Sequence, residues 1–305
     1  MDRVMETINA RLEKEPLDGQ IVSIDTVVCK VDGQWWVETN GDIDWDTCSW
    51  ADSPDKHTFQ FLRIFYQVGP TFKELIGFHD FVPDRLASKQ SIFDKSPVYT
   101  EFPSLVQSAR IWSKKEGETL RITNVQTLKT QYDKTREKAF DRRSRLLPDV
   151  PFTMNVEDLP SVSFLRVAYV IPIGPDKILP LNSPFLSCKT FIPGSLPEDE
   201  GKYQSLHEVA TYALAWLHAT RSKVVCAEMF GPVRESSIKS CGLQATDTAV
   251  SSGEWSKDNN GHLQPLDGLY CIRVYIDGVI REPPEGWHLE AQPIIASKCE
   301  KCKVS

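Results

Sequence analysis

Two stretches near opposite ends of the chain, QIVSIDTVVCKV from residue 20 and LYCIRVYI from residue 269, are dense in β-branched and aromatic residues. Each runs into an Asp-Gly pair, at 32–33 and at 277–278. Branching at Cβ stiffens an extended backbone, and Asp-Gly accepts the positive φ angles of a tight turn, so the pattern specifies strand followed by reversal. With QWWVE after the first turn and VIRE after the second, both stretches predict β-hairpins. Hairpins are antiparallel by construction, which sets this chain apart from all-helical and doubly wound parallel folds.

Between the hairpins, apolar residues at helical spacing predict helices over 2–14, 83–91, 103–114, 127–147 and 206–220. The last is the best specified. Ser205 and Glu208 form a capping box, and Leu206, Val209, Ala210, Ala213, Leu214 and Leu217 supply a broad apolar face. It leads into KVVCAEMF, a predicted buried strand. The expected class is α+β, with mixed or antiparallel sheets, β-hairpins at both ends of the chain and packed helices.

Pro148, Pro151 and Pro160 punctuate a polar stretch. The expected organisation is an N-terminal α+β domain over 1–147, a linker or crossover over 148–160, a C-terminal α+β domain over 161–296, and an exposed basic, Cys-containing tail over 297–305. A Ser-, Asp-, Asn- and Gly-rich region near 245–264 reads as an exposed loop. Two echoes run through the chain: PLDG at 16–19 and 265–268, and FLRIFYQVGP from Phe61 against FLRVAYVIPIGP from Phe164. Internal duplication would explain both, but strands and turns draw on the same few residues, and convergent hairpin chemistry is the simpler reading.

A hydrophobic fraction of 41% with 8 Trp, 14 Phe and 8 Tyr belongs to a folded chain and excludes a disordered one. The 42 acidic residues outweigh 35 basic ones, so no bulk attraction to nucleic acid is expected. The opening residues MDRVMETINARLEKEP carry charges at short intervals, unlike a secretory signal, and no run approaches the roughly 18 apolar residues of a spanning helix. The expected location is the cytoplasm, where the eight cysteines stay reduced.

The closing residues KCEKCKVS carry the most specific motif. Cys302-Lys303-Val304-Ser305 fits a C-a-a-X prenylation box of the farnesyl type, although Lys303 is not aliphatic. Lys298, Lys301 and Lys303 would face anionic lipid, and Cys299 could take a second, reversible acyl chain. One lipid chain holds a membrane weakly, so a basic cluster or second lipid is the physical complement it needs. The plain alternative is an ordinary exposed tail. Lys134, Arg136, Lys138, Arg142, Arg143 and Arg145 crowd one predicted helix. That is foremost a solvated face whose charges pair with Asp133, Glu137 and Asp141, and secondarily a contact for an acidic partner or the same membrane.

Cys299 and Cys302 also form a C-x-x-C pair, half of a tetrahedral zinc site. Cys226-Ala227-Glu228 resembles the Cys-Ala-Glu signature of the cytidine-deaminase superfamily. That resemblance implies Cys226, Cys299 and Cys302 as zinc ligands and Glu228 as general acid and base. It spans three residues and a distant pair. Gly231-Pro232 interrupts the helix that the family opens there, which favours core packing for Cys226. The alternating acids Asp42, Asp44 and Asp46 could clamp Mg²⁺ for group transfer, but no Gly-rich phosphate cradle precedes them. His207, Thr211 and His218 share a helical stripe that reads as a wet face, and nothing beside Cys241 would lower its pKa.

No catalytic constellation is complete, so no catalytic residue, metal or cofactor is assigned. The expectation is a cytosolic, non-catalytic binding or regulatory protein with a protein partner and a lipidated tail on Cys302. The alternative is a metal-dependent enzyme, zinc hydrolase or deaminase-like through Glu228, or a Mg²⁺-dependent transferase. Chain purified from eukaryotic cells should have lost Lys303-Val304-Ser305 and gained a farnesyl and a methyl group; an unmodified intact mass would refute the lipid reading.

Overall fold

A computed structural model describes residues 2–32, 56–90, 97–116, 119–131, 161–173, 184–194, 203–233, 255–257, 263–265, 269–285 and 287. The helices are α1 (Asp2–Lys14), α2 (Phe102–Glu116) and α3 (Leu206–Thr220). The strands are β1 (Gly19–Asp32), β2 (Lys56–Val68), β3 (Glu74–Phe81), β4 (Arg85–Gln90), β5 (Pro97–Tyr99), β6 (Arg121–Gln131), β7 (Ser161–Pro172), β8 (Leu186–Phe191), β9 (Lys223–Val233), β10 (Trp255–Lys257), β11 (Leu263–Pro265) and β12 (Leu269–Asp277). β1 pairs with β2, β4 with β5 and β10 with β11, and two three-stranded sheets have the orders β3-β7-β6 and β8-β12-β9. Every described pairing is antiparallel, so the chain is an α+β protein.

The register shows a plan repeated three times. Unit 1 is α1, β1, β2 and β3; unit 2 is α2, β6, β7 and β8; unit 3 is α3, β9 and β12. In each, the helix is followed by an inner strand that bulges, at Val22, Thr123 or Val225, against a middle strand, and β9 has a second register shift opposite Leu269–Cys271. Aligning the bulges places Arg63 opposite Asp25, Arg166 opposite Gln126 and Arg273 opposite Glu228. A bulge sharpens local twist and re-aims the residues beyond it, so its recurrence gives all three inner strands the same bend.

The third strand of each unit crosses to the next. β3 of unit 1 bonds the free edge of β7 with Asp80 opposite Arg166, and β8 of unit 2 bonds β12 with Thr190 opposite Arg273. The helix of the donating unit then shields the outer edge of that strand. Asn9 of α1 bonds both backbone groups of Ile76, donating to its carbonyl at 3.0 Å and accepting from its amide at 2.8 Å. Arg110 of α2 donates to the Leu186 carbonyl at 2.7 Å, and Ile76 and Leu186 hold the same register position. Edge strands with unpaired backbone invite wrong partners, and a helix side chain closes them here. Apolar clusters lie beneath: Leu12, Ile21, Ile24, Ile76 and Val170 under α1; Phe102, Leu105, Ala109, Val125 and Leu165 with α2; Phe191, Val209, Trp216 and Val274 with α3.

Helices α1, α2 and α3 fall where the periodicity places them, and α3 has the complete Ser205–Glu208 capping box. Other expectations are corrected. Residues 85–90 of the predicted helix 83–91 are strand β4, and residues 127–131 of the predicted helix 127–147 belong to strand β6, with 132–147 outside the described residues. In β6 long-range pairing with β7 outweighs a loose helical pattern that Thr123, Val125, Thr127 and Thr130 do little to support. β1 pairs along its whole length with β2, and QWWVE lies outside the described residues. The second hairpin is absent among the described residues, because both edges of β12 are already taken by β8 and β9, which leaves Val279 and Ile280 exposed after Gly278. The stretch 148–160 lies outside the described residues; the strands flanking it, β6 and β7, are bonded neighbours.

One glycine is fixed by close approach. A Cβ on Gly77 in β3 would meet the Tyr169 ring at 2.3 Å, because that ring lies across the strand while packing on Trp112 at 5.5 Å between ring centroids. Gly77→Ala is expected to lower unfolding free energy by about 1–3 kcal/mol, the range for overpacking. In a Tyr169→Ala background the same substitution should cost little, a non-additivity that denaturant titration of the four chains measures.

Candidate functional site: the polar joints between units

Several buried and half-buried polar side chains among the described residues gather where one unit meets the next. In the joint of units 1 and 2, the Arg166 guanidinium forks onto the Asp80 carboxylate, with two contacts of 2.7 Å, and donates to Thr26 Oγ1 at 3.2 Å. Gln126 reaches back to the Thr26 backbone, accepting from its amide at 2.7 Å and donating to its carbonyl at 3.4 Å. Asn124 donates to the Ile24 carbonyl at 3.2 Å and to Asp25 Oδ1 at 2.7 Å. At the margin, Glu74 accepts from the Ile21 amide and from Arg121, both at 2.9 Å.

The joint of units 2 and 3 repeats this chemistry with altered residues. Arg273 donates to Thr127 Oγ1 at 2.5 Å and to Thr190 Oγ1 at 3.3 Å, the counterparts of Thr26 and Asp80, and its guanidinium carbon lies 3.8 Å from the centroid of the Phe102 ring. Glu228 takes the place of Gln126. Its carboxylate accepts from the Thr127 amide at 2.6 Å, from Thr127 Oγ1 at 2.5 Å and from Tyr275 Oη at 2.9 Å, and lies 3.3 Å from Arg273 Nη1. Burial raises the Tyr275 phenol well above its ordinary pKa, and the adjacent Glu228 carboxylate adds to the rise, so the hydroxyl stays a donor. Cys226 takes the place of Asn124, accepting from the Val125 amide at 3.2 Å and donating to the Val125 carbonyl at 3.4 Å. Burial pushes its thiol pKa far up, although the Val125 amide pulls the other way. The sulfur is a protonated thiol in a strand, an environment opposed to the thiolate of a metal ligand or nucleophile.

The residues singled out from sequence are distributed accordingly. Glu228 and Cys226 belong to the second joint, where Glu228 accepts hydrogen bonds in place. The signature resembling the deaminase superfamily lies in β9, not at a helix start. Cys299, Cys302, Lys298, Lys301 and Lys303 lie outside the described residues, as do Arg142, Arg143 and Arg145, the acids Asp42, Asp44 and Asp46, and Cys241. The 42–46 acids, the basic 134–145 stretch and Cys241 share one topological place, the connection from inner to middle strand of units 1, 2 and 3 in turn. His207 and His218 sit on the exposed side of α3. Among the described residues no three His, Cys, Asp or Glu side chains converge to hold a metal ion, and no helix is long and apolar enough to cross a membrane.

Arg166, Arg273, Gln126 and Thr127 were not singled out from sequence. A usable signal exists in the FLR echo, since Phe61-Leu62-Arg63 and Phe164-Leu165-Arg166 occupy equivalent places and Cys271-Ile272-Arg273 makes a third. Comparison with protein-family models, with curated proteins and with solved structures returned no match.

The state of Cys226 is directly testable. In the folded protein iodoacetamide at mildly alkaline pH should leave Cys226 unmodified, while denaturant makes it react, as peptide mass spectrometry reports. Alkylation of the folded chain at Cys226 would contradict the joint as described.

Proposed function

We propose that the chain is a non-catalytic binding or regulatory protein, a repeat scaffold whose buried polar groups hold successive units in register. One observation carries this reading: Glu228 and Gln126 occupy equivalent places and make equivalent contacts to Thr127 and Thr26. An amide serves where the other joint has a carboxylate, so the position is used for its acceptor oxygens and not for proton transfer. The arginines fit the same role. A buried guanidinium held by strand-borne oxygens contributes modestly to net stability but strongly disfavours wrong registers.

Substitution separates the two roles without knowledge of any substrate. Catalytic groups are commonly held at a cost in stability, and replacing one leaves the fold as stable or more so. A structural acceptor behaves oppositely, because its loss strands Arg273 and the Thr127 amide. Glu228→Gln keeps the acceptor that Gln126 offers in the other joint and should cost little, whereas Glu228→Ala is expected to lower unfolding free energy by about 2–4 kcal/mol. Unchanged or increased stability in the alanine variant, measured by denaturant unfolding, would favour an enzyme and overturn this reading.

A further inference from the structure

The two outer units present, uncovered, the faces that the joints cover elsewhere. In the middle strands, Arg166 and Arg273 are buried by the preceding unit, as are Ala168 (1% exposed) and Tyr275 (0%). Their counterparts in unit 1, Arg63 and Phe65, are exposed, Phe65 at 42%. In the inner strands, Ile21 (2%), Ile24 and Thr26 (5%) of unit 1 are buried, Ile21 and Ile24 in a cluster formed by α1 together with Ala168 and Val170 of unit 2. Their counterparts in unit 3, Val224 (45%), Ala227 and Met229 (58%), are exposed. Exposed large apolar side chains include Val22, Phe65, Tyr66 and Val68 on unit 1 and Leu214, Val224, Met229 and Tyr270 on unit 3, with Ile111 and Phe185 on unit 2. Units 1 and 3 share no extensive contact among their described elements, since β1 lies against β6 and β6 against β9. The outer edge of β2 is unpaired among the described residues, and it is the edge that takes β3 in unit 2 and β8 in unit 3.

We propose that this chain binds a second copy of itself head to tail, the Val224–Met229 face of unit 3 in one copy docking on the Arg63–Phe65 face of unit 1 in the next. The two faces are the two halves of a joint that the chain already forms twice, which identifies the occupant of each. Repeat arrays need polar outer faces to stay apart in water, and these ends are apolar instead. Asp25 stands where Gln126 and Glu228 reach back to the preceding unit, and it would reach the Met229 strand of the neighbouring copy. Met229 replaces the threonine of the other joints, so the intermolecular joint exchanges one hydroxyl contact with arginine for apolar contact with Phe65. An interface between two different faces is heterologous, and it closes into a ring or continues as a filament according to the rotation between copies. The inference is independent of the functional reading, because an enzyme could assemble through the same faces.

Light scattering on the full chain across a concentration series should give a mass above that of one chain. Phe65→Asp blocks one face and Met229→Glu the other, and each variant alone should be monomeric with unchanged circular dichroism and thermal unfolding. Mixed in equal amounts, the two should form a heterodimer that grows no further, because each retains the face the other lacks. A wild-type monomer at every concentration would overturn the proposal, as would a Met229→Glu chain that still self-associates, the outcome of β2 pairing with β2. Failure of the mixed variants to combine would do so as well. If either variant unfolds, Arg63→Glu and Val224→Asp test the same two faces.

Discussion

The contact between a middle-strand arginine and the unit before it governs this molecule. Arg166 and Arg273 each lie inside a sheet, with the guanidinium reaching a threonine of the preceding inner strand and an oxygen of the preceding unit's third strand. A buried guanidinium requires acceptors at defined places, so the position of that one side chain fixes the registers of three strands together. A slip by one residue would turn the arginine to the opposite face and leave its partners unpaired. Because the same arrangement occurs in both joints, the geometry between units 1 and 2 recurs between units 2 and 3.

Several features follow from it. The bulges at Val22, Thr123 and Val225 bend each inner strand where it passes its neighbour. Since the third strand crosses to the next unit, every internal unit shares a sheet with its neighbour, and the helix it came from shields the new edge through Asn9 or Arg110. Cores and sheets are therefore offset along the chain. Phe81, Leu165, Leu186 and Tyr275, from both sides of the 148–160 stretch, belong to one apolar cluster.

Much of the helical structure was legible locally. Helix α3 carries its own start signal in Ser205 and Glu208 and its own apolar face, and α1 and α2 show their stripes. Strands were legible as strands where β-branched residues ran together, as in β1, β9 and β12. Their partners were not, because a β-strand's hydrogen-bond edge carries no residue code. β1 pairs beyond the whole of 33–55, and β12 pairs on both sides. The FLR echo marked equivalent positions in β2 and β7, while the PLDG echo precedes an inner strand once and a middle strand once and reflects turn chemistry alone. The third arginine went unseen, because in Cys271-Ile272-Arg273 only the arginine is retained.

The joint was legible in part. Glu228 and Cys226 drew notice for a three-letter likeness to a metal site, yet what they do depends on Thr127, Tyr275 and Val125, residues far away in sequence with no motif of their own. By itself the sequence determined the class, helices α1, α2 and α3 and the most β-branched strands, because those depend on periodicity and on the conformational bias of each residue; the helical patterns at 85–90 and 127–131 gave way to strand pairing. Tertiary structure alone decided strand partners, the repetition of the joint and the roles of its polar groups. Those depend on which backbone groups remain to be satisfied once the core is buried, and that is a property of the assembled sheets.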